Sequence, residues 1–208
     1  MERGILFKPD MVKAILDGRK TQTRRIVKPQ PPNIVGLRYE QGPYPQDFHP
    51  RFTAMAEPAN APWLTCPYGQ PGDRLYVKEA WAKSIISGDF IYKTNLNPLE
   101  DQVHSFNGVK WNSPMMMPKR AARLWLEITG VRVERLQDIS EEDAIAEGSF
   151  LNKCACFPPP KTPIESLFQL KWCHQHGQEI KALWKSIYGP GSWELTPWVW
   201  IIEFQVVL

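Results

Sequence analysis

A chain of 208 residues, 43% apolar, is long enough to bury the core of an ordinary domain, and this composition excludes an extensively disordered protein. Nine Trp and 20 Pro point away from a helical bundle and toward a loop-rich fold anchored by large rings. The formal net charge of +3 is too small for tight non-specific DNA binding, but it is uneven: residues 1–30 hold eight cations against three acids, a local +5 that leaves the rest of the chain at −2.

The opening MERGILFKPD lacks an apolar stretch long enough for a secretory signal, and no run reaches membrane-spanning length. The expectation is a cytoplasmic protein with no membrane partner, in which Cys66, Cys154, Cys156 and Cys173 are reduced thiols. PDMVKAILDG sets Val12, Ile15 and Leu16 at helical spacing, with Pro9 and Asp10 suited to a first turn and Gly18 to a C-terminal cap. TQTRRIV then reads as a strand, so Lys20 falls at a helix-to-strand junction. From Lys28 to about Pro71, Pro, Gly, Asn and Gln dominate, and the stretch reads as a long irregular excursion.

GDRLYVKEAWA alternates Leu75 and Val77 with polar neighbours and reads as a strand; FIYK reads as another. In RLWLEITGVRVERL the apolar positions Leu124, Leu126 and Ile128 give way to Val131 and Val133, a one-residue shift of phase that predicts a bulge or bend at Gly130. ISEEDAIAEG carries a helix start at Ser140, with acids in the first turn, and a stop at Gly148. A further helix is expected from Thr162 and Pro163, and another where Ile180, Leu183, Trp184 and Ile187 repeat at helical spacing. WVWIIEFQVVL closes the chain as a strand with Trp200, Ile202, Phe204, Val206 and Leu208 on one face. Strands separated by short helices, with a bend between them, favour an α+β fold with a small curved sheet or partly closed barrel.

Four segments in this order, ILDGRKTQTRR, PGDRLYVKEAW, LEITGVRVERLQDISEEDAIAEG and PGSWELTPWVWIIEF, resemble the ASCH domain in its longer phage and prophage form. The family motif G-x-K-x-x-E/T-x-R matches Gly18, Lys20, Thr23 and Arg25. The resemblance implies a PUA-like, partly closed β-barrel with flanking short helices. It also implies one domain over residues 1–208, with long insertions near 30–70, 85–118 and 149–178. ASCH domains are generally linked to RNA, and one small bacterial member is an N(4)-acetylcytidine amidohydrolase with a catalytic Lys, Thr and Glu. Laid on this chain, those roles fall on Lys20, Thr23 and Glu147, the last because SEEDAIAE has the spacing of the family's T-E-x-x-A-x-x-E helix.

The residue types suit the reaction. Hydrolysis of an N-acylated cytosine needs a nucleophile, a base for its proton and an acid for the departing exocyclic nitrogen. A Thr-Lys pairing works if the amine is neutral. Arg19, Arg24, Arg25 and burial all push Lys20 that way, and a close carboxylate would oppose them. The carbonyl end of its helix would raise the Glu147 carboxyl and let it hold a proton. Strict alternation sets Lys20 and Thr23 on opposite faces of a strand, so an irregularity has to bring them together. The plainer readings make Thr23 a strand residue, Lys20 a cap on the preceding helix's carbonyls and Glu147 a solvated helix position.

Arg19, Arg24, Arg25, Lys119, Arg120 and Arg123 are the candidate contacts to a nucleoside, nucleotide or RNA, with Tyr76, Trp81, Trp111 and Trp125 as rings for stacking or for the core. Cys154, Cys156, Cys173, His174 and His176 lack the usual zinc spacings and read as free thiols and surface imidazoles, so neither a metal nor a cofactor is expected. The leading expectation is an amidohydrolase acting on an N-acylated cytosine; the alternative is a non-catalytic nucleic-acid binding module.

Overall fold

The computed structural model describes residues 1–30, 34–41, 48–54, 65–84, 87–96, 99, 101, 102, 104, 108–148 and 176–207, with backbone alone over 34–54 and 176–179. The fold is mixed α+β and sheet-dominated. The strands are β1 (Glu2–Leu6), β2 (Gln22–Ile26), β3 (Ile34–Gln41), β4 (Phe48–Ala54), β5 (Arg74–Lys78), β6 (Trp81–Lys83), β7 (Phe90–Tyr92), β8 (Trp125–Arg135) and β9 (Trp198–Val207). The helices are α1 (Pro9–Leu16), α2 (Glu141–Ala146) and α3 (His176–Tyr188). The main sheet has the order β1-β5-β8-β9-β2, and the described strands do not close into a barrel. Among the described residues no helix is long and apolar enough to cross a membrane.

The chain divides into two compact units. The first comprises Met1–Gly18, Cys66–Val131 and Glu203–Leu208. In it β1 runs parallel to β5, which pairs antiparallel with β8. Alternation puts Ile5, Leu75, Val77 and Leu126 on the buried side. Helix α1 has Pro9 in its first turn and ends where Gly18 takes φ +72°. It buries Met11, Val12, Ala14 and Ile15, whereas Leu16, expected on the apolar stripe, is exposed.

The single strand expected over GDRLYVKEAWA is two, because the chain leaves β5 at Glu79, whose carboxylate is buried, and β6 then pairs with β7 instead. At Gly130 a Cβ would stand 2.5 Å from Oε2 of Glu203, so this side chain comes too close to the β8 backbone for a larger residue to fit unchanged. Buried positions along β8 run Leu126, Ile128 and then Val133, which preserves the change of phase that the sequence implied.

The second unit comprises Arg19–Thr65 and Arg132–Ile202. Its core is Leu136, Trp184, Val199 and Ile201, with Ile26, Tyr188 and Trp193 packed against them. Helix α3 buries Ile180 and Trp184 but leaves Ile187 exposed. The expected helix at Thr162 lies outside the described residues. The stretch read as irregular contains an antiparallel ladder, with β3 paired to β4 from Ile34↔Ala54 to Gln41↔Phe48. Its Pro and Gly content hid two extended runs, and in a two-stranded ladder both members are edges, where a residue such as Pro50 is tolerated.

Candidate functional site

The site lies within the second unit and follows from two periodicities. Lys20, Gln22 and Arg24 alternate along the entry to β2, so they share a side, and Asp143 and Glu147 stand four residues apart on α2. The backbone N–H of Thr21 donates to the carbonyl of Ala146 at 2.8 Å and ties the strand entry to the helix end. Ser140 Oγ accepts from the N–H of Asp143 and fixes the start of α2; Glu147 caps its end before Gly148 turns away at φ +86°.

Lys20 is 1% exposed. Its Nζ donates to the Glu147 carboxylate Oε2 at 2.6 Å and to the carbonyls of Glu147 and Gln22 at 2.8 Å each, which uses all three ammonium hydrogens. Burial pushes the amine below its ordinary range; the charge and hydrogen bond of Glu147 oppose that, while Arg25 and Arg24 reinforce it. Lys20 therefore caps the carbonyl end of α2 rather than that of α1. Glu147 is 6% exposed and is no solvated helix position.

Arg24 is also buried. Its Nη2 donates to Asp143 Oδ2 at 2.7 Å and stands 3.8 Å from Glu134 Oε2, while Nη1 lies 3.7 Å from Glu147 Oε1. Neither that nitrogen nor that oxygen makes a hydrogen bond among the described residues. Gln22 Nε2 donates to the Asp143 carbonyl at 2.6 Å and to Oδ1 at 3.0 Å, and Arg132 Nη2 reaches both Asp143 oxygens at 2.8 and 2.9 Å. Arg132 Nε donates to Glu134 at 2.7 Å. Burial acts to raise the Asp143 carboxyl, but the bonds from Arg132 and Gln22 and the charge of Arg24 outweigh it and hold the carboxyl below its usual range.

Thr23 bonds to a different neighbour. Its fully buried hydroxyl accepts from Arg25 Nη1 at 2.7 Å, and Arg25 also donates to the Arg24 carbonyl at 3.0 Å. Lys20 donates to Gln22 and Glu147. The structure thus joins Lys20 to Glu147 and Arg24, and joins Thr23 to Arg25. Arg19 is half-buried in the same unit.

The other basic residues belong to the first unit. Lys119 pairs with Glu2 and stands 5.4 Å from the centre of the Trp125 ring, Arg120 is exposed, and Arg123 grips Glu79. Trp125 packs against Tyr76 at 5.8 Å and Trp81 against Phe90 at 5.6 Å, while Trp111 Nε1 donates to Asp101. Cys154, Cys156, Cys173 and His174 lie outside the described residues, and His176 is described by backbone alone. Among the described residues no group of His, Cys, Asp and Glu could hold a metal ion. Cys66 is a buried free thiol, pushed up by burial.

Sequence reasoning missed Gln22, Arg132, Glu134 and Asp143. The signal for two of them was present: Gln22 shares parity with Lys20, and Asp143 shares a helix face with Glu147. Chemically, the cluster offers a short hydrogen bond along which a proton can pass between a buried amine and a buried carboxylate. Comparison of the chain with family models, with curated proteins and with solved structures finds no match.

Proposed function

We infer that this protein is a PUA-like member of the ASCH group that hydrolyses an N-acylated cytosine nucleoside or nucleotide, of the N(4)-acetylcytidine kind. The observation that carries this reading is the 2.6 Å hydrogen bond between Lys20 and Glu147, closed off from solvent beside Arg24. Passage of one proton along that bond yields a neutral amine and a carboxylic acid, the base and the acid that the reaction requires. Burial favours the neutral form of the Lys20 amine.

In the reaction, the Thr23 hydroxyl oxygen bonds to the acyl carbon and its proton passes to the Lys20 amine. The exocyclic nitrogen leaves with the proton held by Glu147. Water then hydrolyses the threonyl ester and releases the carboxylic acid. For the first step Lys20 has to exchange its bond with the Gln22 carbonyl for one with Thr23, which lies three residues away. The guanidinium of Arg25, already bonded to the Thr23 oxygen, stabilises negative charge developing there.

The test is incubation with N(4)-acetylcytidine, with cytidine release followed by chromatography. Thr23→Val, Lys20→Met and Glu147→Gln are each expected to lower kcat by roughly a hundred- to ten-thousand-fold. The reading fails if the parent protein is inert. A second reading, a binding module, is favoured by the saturation of Lys20, whose hydrogens are all engaged by the protein itself. An inert parent that retards RNA in a salt-dependent way supports it.

A further inference from the structure

Arg24 belongs to neither the catalytic trio nor the family motif, yet it is the residue on which the charged cluster converges. It is 4% exposed and faces three carboxylates: Asp143 at 2.7 Å, Glu147 at 3.7 Å and Glu134 at 3.8 Å. Only the contact with Asp143 is a hydrogen bond, and Arg132 holds Asp143 from β8. Arg24 is therefore anchored at one prong and turns the other toward Oε1 of Glu147, the oxygen that Lys20 does not use.

We propose that Arg24 is a positioning residue for the acid–base pair: anchored on Asp143, it holds the Glu147 carboxylate with Oε2 on Lys20, and its charge acts on the pair alongside that of Arg25. The inference rests on Lys20 and Glu147 being the acid–base centre described above.

The physical basis is the distance. At 3.7 Å the guanidinium acts on Glu147 through its field, and in a buried site that field is weakly screened. A cation beside Lys20 opposes protonation of the amine, so it weakens the hold of Lys20 on the proton that it passes to Glu147. The charged groups facing the pair are Arg24 and Arg25 from β2; Arg132 and Glu134 from β8 and Asp143 from α2 face Arg24.

Removal of the Arg24 charge is expected to raise the pH at which Lys20 loses its proton, by about half a unit or more. The experiment is a pH titration of the lysine side chains by NMR on the full-length protein, with Lys20→Met identifying the Lys20 signal. Arg24→Lys, Arg24→Gln and Arg24→Met are compared with the parent, and circular dichroism checks folding; Arg24→Gln keeps a donor for Asp143 and is read if Arg24→Met does not fold. The expected result is an upward shift in the neutral variants and a midpoint near the parent's in Arg24→Lys. The descending limb of kcat on acetylcytidine moves with it, at unchanged KM. Equal midpoints in the parent and a neutral variant overturn the proposal. So do equal shifts in Arg24→Lys and Arg24→Gln, which mark a packing role alone. If the parent does not turn over acetylcytidine yet the midpoint moves as stated, the hydrolase reading falls and the positioning role stands. If turnover is present and the midpoint does not move, the reverse holds.

Discussion

Each compact unit buries a glutamate against a cation, and the two burials differ in completeness. In the first unit Glu79 is gripped through both oxygens by Arg123, at 2.7 and 2.8 Å, and the guanidinium lies 4.3 Å from the centre of the Tyr92 ring. The Tyr92 hydroxyl in turn donates to the carbonyl of Ala121 at 2.7 Å. In the second unit Glu147 gives one oxygen to Lys20 and turns the other toward Arg24 without a hydrogen bond. Burial is nearly the same, at 2% and 6% exposure, so burial is not what separates them. The number of bonds per carboxylate does. A two-pronged grip fixes a side chain, whereas a single short bond with a cation at charge range leaves a proton free to move.

The most severe way to break this contrast is Arg123→Ala. It strands a buried carboxylate, which costs roughly 3–5 kcal/mol of stability, with the lower figure favoured because the Arg123 side chain is 21% exposed. Urea unfolding followed by tryptophan fluorescence measures it. A loss under about 1 kcal/mol, the range of an exposed ion pair, shows that the Glu79 grip is not structural.

Lys20→Met tests the other member through pH. Burial places the folded-state affinity of Lys20 for its proton below the ordinary value of 10.5, so between the two values the unfolded chain binds more protons than the native one. Stability from this group therefore rises with pH through that window and levels off above about 10.5. The parent-minus-variant difference in unfolding free energy should climb over that alkaline range. A flat difference means that the amine is not desolvated in solution, and the likeness to Glu79 ends there.

This contrast was only half legible in the sequence. The residue types at positions 20 and 147 could be picked out by spacing; the alternation of β2 puts Gln22 and Arg24 on one side of the strand and the helical repeat puts Asp143 and Glu147 on one face, but neither says that the two faces meet. Strict alternation sets Thr23 on the opposite face of a strand from Lys20, and its hydroxyl is bonded to Arg25. Arg132 and Glu134 carry no local signal toward the site, because their meeting with Gln22 and Arg24 joins parts of the chain more than a hundred residues apart. Nor did composition reveal β3 and β4, since turn residues outnumber the extended runs around them. In the first unit the end of β5 at Glu79 was invisible for a related reason: its cause, the grip of Arg123, lies 44 residues away.

A smaller effect sharpens the second region from outside its charged cluster. Ser140→Ala removes the side-chain cap of a six-residue helix that carries Asp143 in its first turn and ends on Glu147 as its C-cap. The cost is about 1 kcal/mol by urea unfolding. Because loosening α2 lets the Glu147 carboxylate drift from Lys20, the Lys20 midpoint should move with it, whereas a cap serving the helix alone would leave that midpoint where it was.

The smallest effect concerns a third carboxylate, Glu203 in the first unit. Gly130 has no left-handed backbone, so alanine there brings no conformational strain; its Cβ would stand 2.5 Å from Oε2, 3.3 Å from Cδ and 3.6 Å from Cβ of Glu203, so the tight contact is with the far end of that side chain. A flexible terminus can swing aside, so Gly130→Ala should cost less than about 1 kcal/mol, below the usual range for overpacking a core. Chemical denaturation of the variant decides it. A loss of 3 kcal/mol or more would mean that the end of the Glu203 side chain is held in place against the β8 backbone.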